Sequence, residues 1–259
     1  MKIISYSDLH LEFGTEFNLP RSTDVDLLVL AGDICVFKDF QPLDNVLRGW
    51  NRPVVYVPGN HEYYTRKPIS HENENCKTWL MENYPSVKLL LDEEATIDGV
   101  NFFGGTMWTD FAKGDSKAMD IAEKTMNDFR LIRTRSDEIL KPIHTIEFHK
   151  AFVKKLVAWF EKPMAGPRIV VTHHAPTIKP NTKYRGSNLF PAFNSLDMED
   201  LIRRYQPELW IYGHTHECDN QILGKTQIIS NQLGYPNPNG GYECSGFDEG
   251  GVPIMLKFA

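Results

Sequence analysis

The 259-residue chain is 41% hydrophobic and 12% aromatic, the composition of a folded protein with a sizeable core, which excludes a disordered chain. Against 34 Asp and Glu stand 28 Lys and Arg, a formal net charge of −6 that excludes any global attraction for nucleic acid or an anionic membrane. No run reaches the ~18 apolar residues of a membrane span, Met1 to Asp8 lacks the pattern of a secretory leader, and Cys35, Cys76, Cys218 and Cys244 form no CxxC pair; one cytoplasmic domain with free thiols is expected over 1–259.

In chain order, short β-branched apolar runs bounded by turn residues predict buried strands at Ile3 to Tyr6, Leu27 to Leu30 and Val54 to Val57. Helical character follows over Glu74 to Tyr84. The stretch Thr96 to Phe103 predicts a hairpin, because Asp98-Gly99 between apolar runs suits a type I′ turn. From about Asp110 to Pro163 strand signals stop and helical periodicity takes over, notably at Ala118 to Ile132 and Ile146 to Phe160, which predicts a helical insertion. Strands return at Ile169 to Val171 and Leu209 to Tyr212, separated by a helix at Met198 to Tyr205. A second hairpin is predicted at Gln221 to Ile229, a surface loop at Pro236 to Gly241 and a closing strand at Pro253 to Phe258. Strands alternating with helices imply an α/β architecture, and the two hairpins imply two sheets.

Each of the five apolar runs is followed at once by metal-binding residue types: Asp8-Leu9-His10, Gly32-Asp33, Gly59-Asn60-His61-Glu62, His173-His174 and Gly213-His214-Thr215-His216. Ligands of open α/β sheets bind beyond the carboxyl ends of strands, so five such ends can converge. Two divalent cations ~3.5–4 Å apart need carboxylate and amide oxygens, neutral imidazoles and one bridging carboxylate, for which Asp33 is the candidate. In an extended segment Asp8 and His10, or His214 and His216, share a face, so that each pair engages one centre, unless the chain bends beyond the strand and divides a pair between two. Alone, an Asp-x-His is commonly an exposed turn, Gly32-Asp33 an ordinary turn and Asn60 a helix cap. Two histidines directly after a buried strand are hard to justify as packing, and the five clusters together point to metal.

In order across residues 8 to 216, the blocks D-x-H, G-D, G-N-H-E, a strand-end histidine and G-H-x-H are all present, and the chain resembles the calcineurin-like metallophosphoesterase superfamily. The resemblance implies a four-layer αββα sandwich of two mixed β-sheets flanked by helices, with a dinuclear centre of Mn, Fe or Zn. It implies Asp8, His10, Asp33 and His216 on one ion and Asp33, Asn60, His173 and His214 on the other. His173 stands where the family's ligand stands and His174 then lines the pocket, unless the two roles are exchanged. His61 resembles the family's histidine beside the metal-binding Asn60, placed to protonate the leaving oxygen or stabilise phosphoryl charge; Glu62 is expected to support that loop. Trp108, Tyr184 and Arg185 either border the site or, for Trp108, join the core, while His71, His144 and His149 are expected at the surface.

The implied activity is phosphoester hydrolysis by a hydroxide made available near neutral pH by the two ions. Two divalent cations less Asp8, Asp33 and a hydroxide leave a site near +1, which suits a phosphodiester monoanion. Family phosphatases clamp monoester dianions with arginines in the second and third blocks; here those read Gly32-Asp33-Ile34-Cys35-Val36-Phe37-Lys38-Asp39 and Pro58-Gly59-Asn60-His61. A diesterase for small substrates is therefore expected, with phosphomonoesterase as the alternative and with no duplex nucleic acid or membrane as partner. Oligomeric state is left open. Relatives that serve as interaction scaffolds have lost ligands, and none is missing here.

Overall fold

In the computed structural model, which describes residues 1–20, 24–251 and 254–255, the first half runs β1 (Lys2–Tyr6), β2 (Leu27–Ala31), α1 (Gln41–Leu47), β3 (Val54–Val57), α2 (Ile69–Asn83), β4 (Val87–Leu89), β5 (Glu93–Ile97) and β6 (Val100–Gly105). The insertion follows with α3 (Phe111–Gly114), α4 (Ser116–Thr125), α5 (Asp128–Leu131), the ribbon β7 (Arg133–Arg135) and β8 (Glu138–Ile139), and α6 (Pro142–Phe160). The chain closes with β9 (Arg168–Thr172), α7 (Phe190–Phe193), α8 (Met198–Tyr205), β10 (Leu209–Ile211), β11 (Asp219–Leu223), β12 (Thr226–Ser230) and β13 (Ile254–Met255).

Two mixed sheets result, in the orders β13-β1-β2-β3-β4 and β11-β12-β10-β9-β6-β5. In the first, β1 to β4 are parallel, with Ile3 opposite Leu27 and Tyr6 opposite Leu30; in the second, β12, β10, β9 and β6 are parallel, with Leu209 opposite Ile169. Side chains alternate across a strand, and the burial follows that alternation. Ile3, Leu27, Val29, Val55 and Val57 of the first sheet pack on Phe102, Ile169, Val171, Leu209 and Ile229 of the second. The intervening residues Tyr6, Leu28, Leu30 and Tyr56 face α1, α2 and the insertion. Val170, Trp210 and Ile228 face α6 and α8 through Phe152, Leu156, Trp159, Met198 and Ile202. This is the four-layer αββα sandwich.

The predicted hairpins form. Asp98 and Gly99 both have positive φ (48° and 78°), as a type I′ turn needs, between β5 and β6. Of the predicted closing strand, Ile254–Met255 pairs antiparallel with β1, and the rest lies outside the described residues. The expectation of an insertion without strands is corrected by the β7–β8 ribbon, whose polar Arg133, Thr134 and Arg135 offered no apolar run to read. The single helix expected over 118–132 is broken by extended backbone at Met126 (φ −85°, ψ 140°). Helix α6 begins four residues before the expected Ile146, where Pro142 at its first turn presets the helical φ. Helix α2 likewise starts at Ile69, behind Pro68. No helix among the described residues is long and apolar enough to cross a membrane.

Candidate metal centre

All five clusters lie at the carboxyl ends of parallel strands: Asp8 beyond β1, Asp33 beyond β2, Asn60 beyond β3, His173 beyond β9 and His214 beyond β10. The sheets meet at this edge through a parallel bridge between Ser7 and Gln232. The chain bends sharply as it leaves the strands. Asp8, His10, Asp33, His214 and His216 all adopt positive φ, between 46° and 74°, a conformation that costs a non-glycine residue ~1–2 kcal/mol. Fixed hydrogen bonds offset the strain: Asp8 N–H donates to Gly32 O, His10 N–H to Asp33 O, and His214 N–H to the Asp8 carboxylate. At Gly32, φ is +87° and a Cβ would sit 2.4 Å from His173 Nδ1; at Gly59 it would sit 2.1 Å from Asp33 Oδ1. Neither position admits a side chain without displacing a site residue.

Asp8, His10, Asp33, Asn60, His61, His173 and His214 are all buried. Candidate ligand atoms gather in three overlapping groups, Asp8 with His10 and His216, His10 with Asp33 and His61, and Asp33 with His173 and His214, each within 4.8 Å. The pair Asp8 and His10 stays together, whereas His214 and His216 divide between groups. Asp33 Oδ1 lies 3.3 Å from His173 Nε2, and its Oδ2 lies 3.9 Å from His10 Nε2 and 4.0 Å from His61 Nε2. One carboxylate thus presents its two oxygens to two sets of imidazoles. Asn60 Oδ1 is 3.0 Å from His173 Nε2, and the Nε2 atoms of His10 and His216 are 3.0 Å apart.

Lone-pair atoms this close, His214 Nδ1 among them at 3.1 Å from His173 Nε2, form the mixed O and N donor set that a transition-metal ion satisfies. The outer ring nitrogens fit as well: His173 Nδ1 is 3.0 Å from Ala31 O, His216 Nδ1 is 2.5 Å from Glu243 Oε2, and His10 Nδ1 is 3.3 Å from Glu12 Oε1. A proton held outside leaves Nε2 facing inward, the usual arrangement of a ligating histidine.

Without an ion the charges are uneven. Burial lowers the His173 imidazole, but Asp33 beside it overrides burial and raises it to about 10. Burial likewise opposes charge on His216, and its bonds to Asp8 and Glu243 lift it to about 9. Burial, with His174 and His173 as neighbours, holds His214 well below the ordinary range. His174 is pushed down to about 3 by burial and by His173; its Nδ1 is 3.1 Å from Thr106 O, and it belongs to none of the three groups. Of the two adjacent histidines, His173 is the one brought to Asp33.

Glu62 is fully buried and accepts hydrogen bonds from Asp33 N–H, Ile34 N–H, Gly59 N–H and the Tyr56 hydroxyl. It joins the second and third clusters from beneath, in keeping with its expected supporting place. Trp108 is core, 6% exposed, with its ring 5.3 Å from His174. Tyr184 is half-buried against Phe193, itself 5.3 Å from the His214 ring, and Arg185 is exposed. His71 is exposed and His144 half-buried, but the expectation of a surface His149 is corrected: it is 1% exposed, held between Trp108 O and Asp197.

Four residues at the centre escaped the sequence reading. Glu12 Oε1 lies 2.8 Å from His61 Nδ1, and the Tyr235 hydroxyl lies 2.9 Å from His61 Nε2. Asp128 of the insertion accepts from the Asn60 amide at 2.9 Å, which turns Asn60 Oδ1 inward. Glu243 takes His216 Nδ1–H and Lys183 Nζ. Glu12, two residues beyond His10, carried the one usable signal.

The sequence profile of the calcineurin-like phosphoesterase family matches residues 1–218. An uncharacterized protein of Acanthamoeba polyphaga mimivirus is 31% identical over 268 residues, covering 91% of this chain and 92% of its own. Among solved structures, a phosphopantetheinyl hydrolase from Mycobacterium tuberculosis superposes with a TM-score of 0.71 at 21% identity, over 90% of this chain and 89% of that one. A Thermus thermophilus protein superposes with a TM-score of 0.51 at 15% identity, over 89% and 88%.

Proposed function

The chain belongs to the calcineurin-like phosphoesterase family, metal-dependent phosphoester hydrolases with a dinuclear centre, and we propose that it hydrolyses a small phosphodiester. The observation that carries this reading is Asp33, whose two carboxylate oxygens face different imidazole sets, as a bridge between two ions requires. Asp8, His10, Asp33 and His216 would hold one ion, and Asp33, Asn60, His173 and His214 the other, as Mn, Fe or Zn. Such a pair of ions supplies Lewis-acid polarisation of the phosphoryl oxygens and a water nucleophile near neutral pH.

The protein's own groups do the rest. Although burial opposes charge on His61, Asp33 and Glu12 raise its imidazole above the ordinary value, so it holds a proton for the leaving oxygen. Glu12 fixes the ring through Nδ1, leaving Nε2 toward the centre, and Asn60 beside it orients the phosphoryl group. Support for a diester is the site charge near +1 and the absence of a clamping arginine: among the described residues no arginine side chain forms an ion pair with a site residue. The net charge of −6 disfavours duplex nucleic acid. Both sheets contribute to one site, so residues 1–259 are read as one catalytic domain, and the free thiols suit the cytoplasm.

The test is turnover by metal-loaded protein on matched aryl phosphomonoesters and phosphodiesters, cyclic nucleotides, single-stranded and duplex DNA, and a phosphopantetheinyl ester, the last prompted by the name of the Mycobacterium tuberculosis neighbour. The expected result is a kcat/KM for the aryl diester above that for its monoester, abolished by chelator, with little cleavage of duplex DNA. A monoester preference of about an order of magnitude makes the chain a phosphomonoesterase instead.

A further inference from the structure

Outside the centre, one more group of ligand types gathers among the described residues: Asp110, after β6; His149, on α6; and Asp197, before α8, with one donor atom from each within 4.8 Å of the others. We infer that these three residues form a separate divalent-cation site, suited to Zn²⁺ or Mn²⁺, which ties the insertion to the second sheet.

The donors are set for it. His149 Nδ1 lies 2.5 Å from Trp108 O, an acceptor, so that nitrogen carries the proton. Nε2 then faces Asp197 Oδ2 at 3.1 Å. A ring lone pair and a carboxylate oxygen at that separation repel unless a proton or a cation lies between them. For bonds of ~2.1 Å, two adjacent ligands on one ion stand about 3.0 Å apart at octahedral angles and about 3.4 Å apart at tetrahedral ones, a range that includes this separation. The outward Nδ1–H on a backbone carbonyl is the bond a ligating histidine commonly makes.

Charge decides between proton and cation. Asp110 is 8% exposed, and its Oδ1 is buried with no hydrogen-bond partner; Asp197 Oδ1 is also buried and unpartnered. Among the described residues neither carboxylate forms an ion pair with a lysine or arginine. A protonated His149 supplies one positive charge against two carboxylates and leaves both Oδ1 atoms unsatisfied. A divalent cation balances both carboxylates with His149 neutral. Asp197 also stands at the N-cap of α8 without capping it, its carboxylate turned to His149, although an aspartate there ordinarily bonds the first turn. At a third exposed, Asp197 gives the ion a route from solvent.

The test counts ions in the full-length protein after loading with excess Zn²⁺ and removal of free metal. One Zn²⁺ per chain beyond the number held at the strand-end centre is expected, and Asp110→Asn should lose that one alone. An Asp33→Ala variant, impaired at the strand-end centre, should keep the Asp110 ion, and adding Asp110→Asn to it should remove a Zn²⁺-dependent rise in Tm. If Asp110→Asn does not fold, Asp197→Asn takes its place, because its side chain is partly exposed. Equal ion counts in wild type and in the folded variant, or a Tm in the Asp33→Ala background that Zn²⁺ does not move, overturn the inference in favour of a protonated His149.

Discussion

The strand ends and the segments that face them build the centre by different means. At the strand ends Asp8, His10, Asp33, His214 and His216 hold left-handed backbone, and their oxygens and ring nitrogens point at one another across 3–4 Å. Glu12 comes from the short helical turn after β1, Asp128 from α5, and Tyr235 and Glu243 from loops; the three carboxylates touch the outer atoms of His10, His61, Asn60 and His216, and the Tyr235 hydroxyl meets His61 Nε2. The first set brings donor atoms together, and the second decides which atom each donor presents. His216 shows the dependence: with Nδ1–H given to Glu243, only Nε2 can face inward. Inner changes should therefore remove the chemistry, and outer ones should only misalign it.

The largest effect is expected from Asp33→Ala. It removes the one carboxylate that faces both imidazole sets and the acceptor of His61 N–H, and should lower turnover by about 10⁴-fold or more with metal lost from both strand-end positions. Elemental analysis beside single-turnover rates checks it; full metal content in the variant would remove Asp33 from the bridging place. His61→Ala should come next, lowering kcat by ~10²–10⁴ with metal content intact. An emptied metal position in that variant would make His61 a ligand rather than a proton donor.

Asp128→Asn and Glu243→Gln test the outer set. Each keeps the size of the side chain while weakening its acceptor for Asn60 or His216, and each should cost about 10–100-fold in metal affinity or activity, as lost supporting partners of metal ligands do. Metal titration against a competing chelator measures it. A loss as large as that from Asp33→Ala in either variant would erase the distinction between the sets.

The same division explains what could be read from sequence. The strand-end residues are local: each follows its apolar run within a few positions, so Asp8, Asp33, Asn60, His173 and His214 announced themselves by spacing, and the sheets that carry them by β-branched runs. Asp128 reaches Asn60 across 68 residues, and Glu243 reaches His216 across 27, through turns with no periodicity. His149 lay on a helix whose buried stripe, Phe152, Leu156 and Trp159, continued through it, yet a histidine within such a pattern reads as polar and outward. The β7–β8 ribbon failed to register because its strands are only three and two residues long and its one apolar residue, Ile139, makes no apolar run.

Tyr235→Phe is expected to have the smallest effect and draws the finest line between the two sets. The ring stays, with its centroid 4.4 Å from His10 and 4.6 Å from His216, so packing over the centre is kept. Only the hydroxyl at His61 Nε2 is lost. If that hydroxyl does no more than hold the imidazole, its removal costs one hydrogen bond, ~0.5–1.5 kcal/mol, or roughly 2- to 12-fold in kcat. Glu12 on Nδ1 still fixes the ring, which argues for the lower end of that range. KM and metal content should not move, because neither the candidate ligands nor the Asn60 amide touches the hydroxyl. A fall of 10²-fold or more in kcat at constant KM and constant metal would place the Tyr235 hydroxyl against the reacting phosphoryl group. Tyr235 would then belong with the strand-end residues, contributed by a loop that lies beyond the family-matched residues 1–218.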